Sequence, residues 1–206
     1  MSGYRTYTVH ELTKQNKLSI LQQVLDERPE LLNTLDDKKL HCIHIAAYMG
    51  EISLINEFIK RGADKDVLRS DGMSPILIAA MRGHEQCVIN LAKQGANVNI
   101  HGPMGYTSLH FLCMKGLTGS VRVLLELGAG AAGAPLRALD INSRTEEGNS
   151  PLHAAIAGHH LEVALLLINK GASRTASNKS GKTLLMCLKG KEGDAYRREV
   201  LAALER

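Results

Sequence analysis

Along most of the chain, short apolar runs alternate with polar, glycine-punctuated ones, and the alternation has a single period. A polar capping position followed by an apolar helix start recurs at Thr8, His41, Ser74, Thr107, Ser150 and Thr183, at separations of 33, 33, 33, 43 and 33 residues. The longer step is the same period plus a ten-residue insertion. Ser74, Thr107, Ser150 and Thr183 each offer a hydroxyl oxygen to the unpaired N–H groups of a helix's first turn. Pro75 and Pro151 follow at the first helical position, where a missing N–H costs nothing. Gly50, Gly83 and Gly116 stand nine residues after their starts, where a glycine in the left-handed region ends one helix before the next begins.

The second helices carry apolar residues at matching offsets: Ile55, Phe58 and Ile59; Val88, Leu91 and Ala92; Val121, Leu124 and Leu125; Ala164, Leu167 and Ile168. This spacing puts each set on one face, so these are the stacking faces. Each second helix stops at a Gly-Ala pair, Gly62-Ala63, Gly95-Ala96, Gly128-Ala129 or Gly171-Ala172, and an extended polar hairpin must follow. The pattern predicts first helices near 42–49, 75–82, 108–115 and 151–157, and second helices near 52–60, 85–93, 118–126 and 161–169, with ends good to about two residues.

The segments Ser150 to Ala155 (SPLHAA), Thr107 to His110 (TSLH), Gly83 to Val88 (GHEQCV) and Gly95 to Asn99 (GANVN) resemble the ankyrin repeat, and a 33-residue period carrying this signal is specific to it. The resemblance implies an all-α ankyrin-repeat solenoid of about six helix-turn-helix units, four full repeats between two degenerate caps. The units are an N-cap at about 5–36, repeats at 36–68, 69–101, 102–144 and 145–177, and a C-cap at about 178–206, with a 130–139 insertion in the third hairpin. The caps are expected to show water a polar outer face. Three departures stand out. His41-Cys42 occupies the usual Thr-Pro place, and Leu77 replaces the motif histidine, which removes inter-repeat hydrogen bonds. Gly158 comes one residue early, with His159-His160 making up the length.

With 206 residues and 44% hydrophobic content, the chain can bury one domain's core. Its seven aromatics, none of them Trp, leave Leu, Ile, Val and Ala to fill that core, which favours closely stacked helices. Basic residues number 25 against 21 acidic, too even a balance to imply nucleic acid or an anionic membrane as partner. No apolar signal segment opens the chain and no run of 18 apolar residues occurs. The expected setting is cytoplasmic, or the host cytosol if the chain is a microbial effector. Cys42, Cys87, Cys113 and Cys187 form no CxxC pair and read as small buried hydrophobes.

Candidate chemistry is thin. Residues 176–183 fit a permissive phosphate-loop pattern, but no strand precedes them. Gly128 to Gly133 reads GxGxxG, yet follows a helix instead of a strand. Under the resemblance, His44, His84, His110, His153 and His160 occupy the family's two structural histidine positions. No zinc spacing or nucleophile-and-base signature is present. The Asn97-Val98-Asn99 hairpin resembles an asparagine-hydroxylation sequence of ankyrin domains, and a plain hairpin asparagine is the preferred reading. Neither catalysis, cofactor nor metal is expected.

Within the family, hairpin tips and the exposed side of the first helix form the concave binding surface. Leu40, Tyr48, Met49, Met73, Met81, Met104, Tyr106 and Met114 fall there, flanked by Arg82 and Lys115. An apolar stripe at positions that face water marks an interaction site, and methionine suits an adaptable one. The expectation is a monomeric, non-enzymatic protein-binding module, adaptor or inhibitor, whose partner presents an apolar segment with nearby acidic groups. The alternative is a ligand-responsive or catalytic protein using 130–139 and 176–183 for a phosphorylated small molecule.

Overall fold

The computed structural model describes residues 8–128, 138–188 and 195–205. Among them are twelve α-helices and no strand. The N-terminal unit holds α1 (Val9–Lys14) and α2 (Leu18–Glu27). Four pairs follow: α3 (Cys42–Met49) with α4 (Ile52–Lys60), α5 (Pro75–Arg82) with α6 (Glu85–Lys93), α7 (Ser108–Lys115) with α8 (Thr118–Gly128), and α9 (Pro151–Ala157) with α10 (Leu161–Asn169). The last unit holds α11 (Leu184–Cys187) and α12 (Ala195–Glu205). The four central pairs match the expected helices, except that α8 runs two residues further, to Gly128.

First helices pack on first helices, from α1 through α3, α5, α7 and α9 to α11, and second helices from α4 through α6, α8 and α10 to α12. Two helical layers therefore enclose one continuous core. Leu54, Ile55 and Phe58, Val88 and Leu91, Val121 and Leu124, and Ala164 and Leu167 are all buried between layers. Each fully buried Leu, Ile or Phe contributes roughly 1.5–3 kcal/mol.

Capping explains where the first helices begin. Thr8 and Glu11 form a reciprocal box: the Glu11 amide donates to Thr8 Oγ1 (3.1 Å) and the Thr8 amide to Glu11 Oε2 (2.9 Å). Three of the four full repeats put histidine in the glutamate's place, so the amides of His41, Thr107 and Ser150 donate to Nδ1 of His44, His110 and His153, each at 3.2 Å. Their Nε2 atoms then donate to Val67 O (3.0 Å), Asn149 O (3.0 Å) and Lys182 O (3.3 Å). One imidazole thus caps a helix and holds the hairpin beyond it.

Each unit is joined to the next by a hairpin of fixed geometry. The amides of Asp36, Arg69, Gly102, Thr145 and Asn178 donate to the carbonyls of Leu40, Met73, Tyr106, Asn149 and Lys182, at 2.9–3.0 Å. The fourth residue of each turn is left-handed. Glycine fills that place in every hairpin but the first, where Lys39 adopts φ 58°. The insertion expected at 130–139 falls mostly within 129–137, outside the described residues, and the chain returns at Ala138 and Leu139. Asn99 fixes this return, donating from Nδ2 to Ala138 O (2.9 Å) and accepting the Asp140 amide on Oδ1 (3.0 Å).

The irregular turn of the fourth repeat is resolved by a shift of one place. Gly158 stays helical at φ −77° and His159 takes the left-handed position at φ 62°. His160 thereby keeps its register and donates to Met114 O at 2.9 Å, as His84 donates to Tyr48 O at 2.9 Å.

Candidate functional site

The ends of the first helices bring the expected residues together. Tyr48 and Met49 close α3, Met81 and Arg82 close α5, and Met114 and Lys115 close α7. One period apart, Tyr48, Met81 and Met114 are 50%, 36% and 42% exposed, and Met49 beside them is half-buried. Arg82 and Lys115 are exposed. The Arg82 guanidinium lies over the Tyr48 ring, 4.4 Å from its centroid. This cation–π contact spans two repeats and presents a cation against an exposed aromatic face.

The hairpin positions depart from the expected stripe. Met73 is buried, 2% exposed, so the stripe does not run unbroken across three repeats. The cause is Leu77: without an imidazole to bond the next hairpin, the space is filled by apolar atoms. A Cβ on Gly102 would sit 3.0 Å from Leu77 Cδ1 and 3.3 Å from Met73 Sδ. Leu40 is half-buried. Tyr106 is half-buried too, stacked on Phe111 with centroids 5.4 Å apart. Met104, at the third hairpin's tip, is 53% exposed, and its carbonyl accepts the Glu146 amide of the next hairpin at 2.9 Å.

A groove of about 450 Å³ opens on this side between the third and fourth repeats and the C-terminal unit. Tyr106 and Met114 form one wall, Ala154, Ala157 and Gly158 the floor, and Asn178, Lys182 and Cys187 the other wall. Its polar groups bond one another: Asn178 Nδ2 donates to Asn149 Oδ1 (2.9 Å), and Asn149 Nδ2 to Glu147 Oε2 (3.0 Å). Ala154 and Lys182 are absent from the expected binding face because neither is an exposed apolar residue. The available signal was subtractive: Ala157-Gly158 stands where earlier repeats have Tyr-Met, Met-Arg and Met-Lys.

The segment 176–183 is a hairpin whose amides are already used. Asn178 Oδ1 accepts the amides of Ser180 (3.1 Å) and Lys182 (2.9 Å), and Thr183 caps α11 through the Met186 amide (3.3 Å). Those donors cannot also cradle a phosphate. The GxGxxG stretch from Gly128 lies mostly in 129–137, outside the described residues. Burial pushes the Cys42 and Cys87 thiols up to about 11 and raises that of Cys113 as well. Buried thiols of this kind are unreactive. Burial also holds His44, His110 and His153 below the usual imidazole range, His110 down to about 4.

Residues 43–132 match ankyrin repeats in three copies, and residues 136–185 match ankyrin repeats again. The chain belongs to the ankyrin-repeat family, whose repeats are generally protein–protein interaction modules. Among its relatives, E3 ubiquitin-protein ligase KEG of Arabidopsis thaliana is 30% identical over 145 residues, 69% of this chain and 8% of its own length. Target of rapamycin complex 2 subunit AVO2 of Saccharomyces cerevisiae is 27% identical over 167 residues, 79% of this chain and 37% of its own. Ankyrin repeat and SOCS box protein 11 of Danio rerio is 39% identical over 112 residues, 54% of this chain and 34% of its own. The chain therefore spans well under half of each of these curated relatives. Among the described residues, no helix is long and apolar enough to cross a membrane.

Proposed function

We propose that the chain is a non-enzymatic binding module, an adaptor or an inhibitor, whose partner lies along the concave face and presents an apolar segment with nearby acidic groups. One observation carries the reading: Tyr48, Met81 and Met114 expose apolar surface at one-repeat intervals, beside Arg82 and Lys115, which have no ion-pair partner among the described residues. An apolar row held in water costs free energy that a partner recovers by covering it. The flanking cations select a partner of opposite sign. Tyr48 and Arg82, already stacked, are the expected hot spots, since Tyr and Arg dominate such interfaces and a preordered pair loses less entropy on binding.

The test is affinity capture with mass spectrometry, comparing the native chain with a Tyr48→Ala, Met81→Glu double variant. Both side chains are exposed, so circular dichroism and melting temperature should change little. Proteins captured by the native chain should be lost with the variant, because a carboxylate buried against an apolar segment is costly. An unchanged set of captured proteins overturns the reading.

A further inference from the structure

The concave face does not continue into the fourth repeat as it began. At the end of the first helix the pairs Tyr48-Met49, Met81-Arg82 and Met114-Lys115 give way to Ala157-Gly158. Three residues earlier, Ile45, Ile78 and Phe111 give way to Ala154, and in the hairpin Leu40, Met73 and Tyr106 give way to Asn149. All three register positions lose bulk or apolar character in one repeat, and α11 beyond it is only four residues long. The 450 Å³ groove is the space these truncations leave. It lies within the roughly 300–1,000 Å³ of clefts that bury a sizeable ligand.

We propose that this groove receives one large apolar side chain of the docked partner segment, and that Lys182 pairs with a carboxylate next to it in that segment. The proposal rests on the concave-face reading above. Three features support it. The floor is apolar, and its polar neighbours are spent on one another: His110 and His153 hold the carbonyls of Asn149 and Lys182, and the Asn149 and Asn178 amides are mutually bonded. Lys182 is exposed on the rim with no ion-pair partner among the described residues. Met114 belongs both to the exposed row and to the groove wall, so one extended segment reaches both. With Arg82 and Lys115 at the first-helix ends, Lys182 in the last hairpin is a third cation on this face; the Glu147 carboxylate, which also lines the groove, accepts Asn149 Nδ2 at 3.0 Å.

The test is selection of random linear peptides displayed on phage against the full chain, followed by affinity measurement with the enriched peptides. They should share a Leu, Met, Phe or Trp with Asp or Glu within about two positions. Ala157→Arg fills the groove from an exposed position and should weaken binding tenfold or more. Lys182→Glu should do the same for acidic peptides and shift a repeated selection toward Lys and Arg. Melting temperatures close to the native chain's confirm that both variants fold. Peptides without acidic residues, or peptides indifferent to both variants, overturn the groove assignment. If those peptides still lose binding with Tyr48→Ala, Met81→Glu, the concave-face reading stands while the groove assignment falls; if they do not, both fall. Failure to enrich any peptide rejects a linear segment as the occupant.

Discussion

At the scale of single residues, position in the period decides what a side chain is worth. Leu124 is 1% exposed on a stacking face and Met81 is 36% exposed on the concave one. Leu124→Ala should cost about 2–5 kcal/mol through lost contacts and a residual cavity, and Met81→Ala well under 1 kcal/mol. Urea denaturation of the two variants measures the contrast. Equal losses would make the methionine a core residue and remove the ground for a binding row. Lys39 illustrates the opposite imbalance. It holds the left-handed turn position that glycine fills in the other four hairpins, at φ 58°. A side chain there costs roughly 1–2 kcal/mol, partly offset by the smaller entropy a non-glycine residue loses on folding. Lys39→Gly should therefore raise stability by about 0.5–1 kcal/mol in the same assay.

At the scale of elements, the turn between paired helices shows how one position can carry two demands. Gly83 and Gly116 both end a first helix in the left-handed region, at φ 84° and 71°. Around Gly83 the nearest atoms to an added Cβ are 3.7 and 4.0 Å away, on Lys115 and Leu117, whereas on Gly116 a Cβ would strike the His160 imidazole. Gly83→Ala should cost about 1–2 kcal/mol from the backbone alone. Gly116→Ala should cost at least about 1 kcal/mol more, because the His160 to Met114 bond must also give way; similar values for the two would show that the imidazole is not locked. Helices, turns and stacking faces were legible in the sequence because each rests on local chemistry repeated at one period: a cap, a glycine, an apolar face. What was not legible depends on neighbours across repeats. Met73 reads as surface until Leu77 and Gly102 close over it. The groove reads as nothing at all, since it is made of side chains that Ala154, Ala157 and Gly158 lack. Tyr48, Met81 and Met114 were readable as an exposed row because their exposure follows from helix position alone.

At the scale of the whole molecule, a solenoid is stabilised by each unit's contacts with its neighbours, and its interfaces differ in how they are bonded. Between the second and third repeats, Leu77 and Leu117 occupy both imidazole positions, and the contact is held by apolar packing and by the hydroxyls of Ser120 and Ser108, which donate to Glu85 Oε2 and Val98 O, each at 3.0 Å. Further along, His110 and His153 tie the third repeat to the fourth hairpin and the fourth repeat to the C-terminal unit. Each accepts an amide on Nδ1 and donates from Nε2, which only the neutral ring can do. A proton on Nδ1 would face another donor. Burial accordingly lowers both from the usual 6.5, His110 to about 4. The unfolded chain then binds more protons than the folded one below about pH 6.5, so stability is full above that value and falls as the pH drops toward 4. His110 alone corresponds to roughly 3 kcal/mol across the window. Urea denaturation at pH 7.5, 6 and 5 should show this decline, and hydrogen exchange at pH 5 should show α9 and the fourth hairpin opening before the contact of α5 and α6 with the third repeat, where Leu77 and Leu117 stand in place of both imidazoles. Because those same histidines hold the two hairpins that border the groove, the groove should be the first surface lost to acid. His110→Gln supplies the check: it should be less stable at pH 7.5 and lose less on acidification, and an unchanged pH slope would mean that His110 titrates in the fold as it does in the unfolded chain.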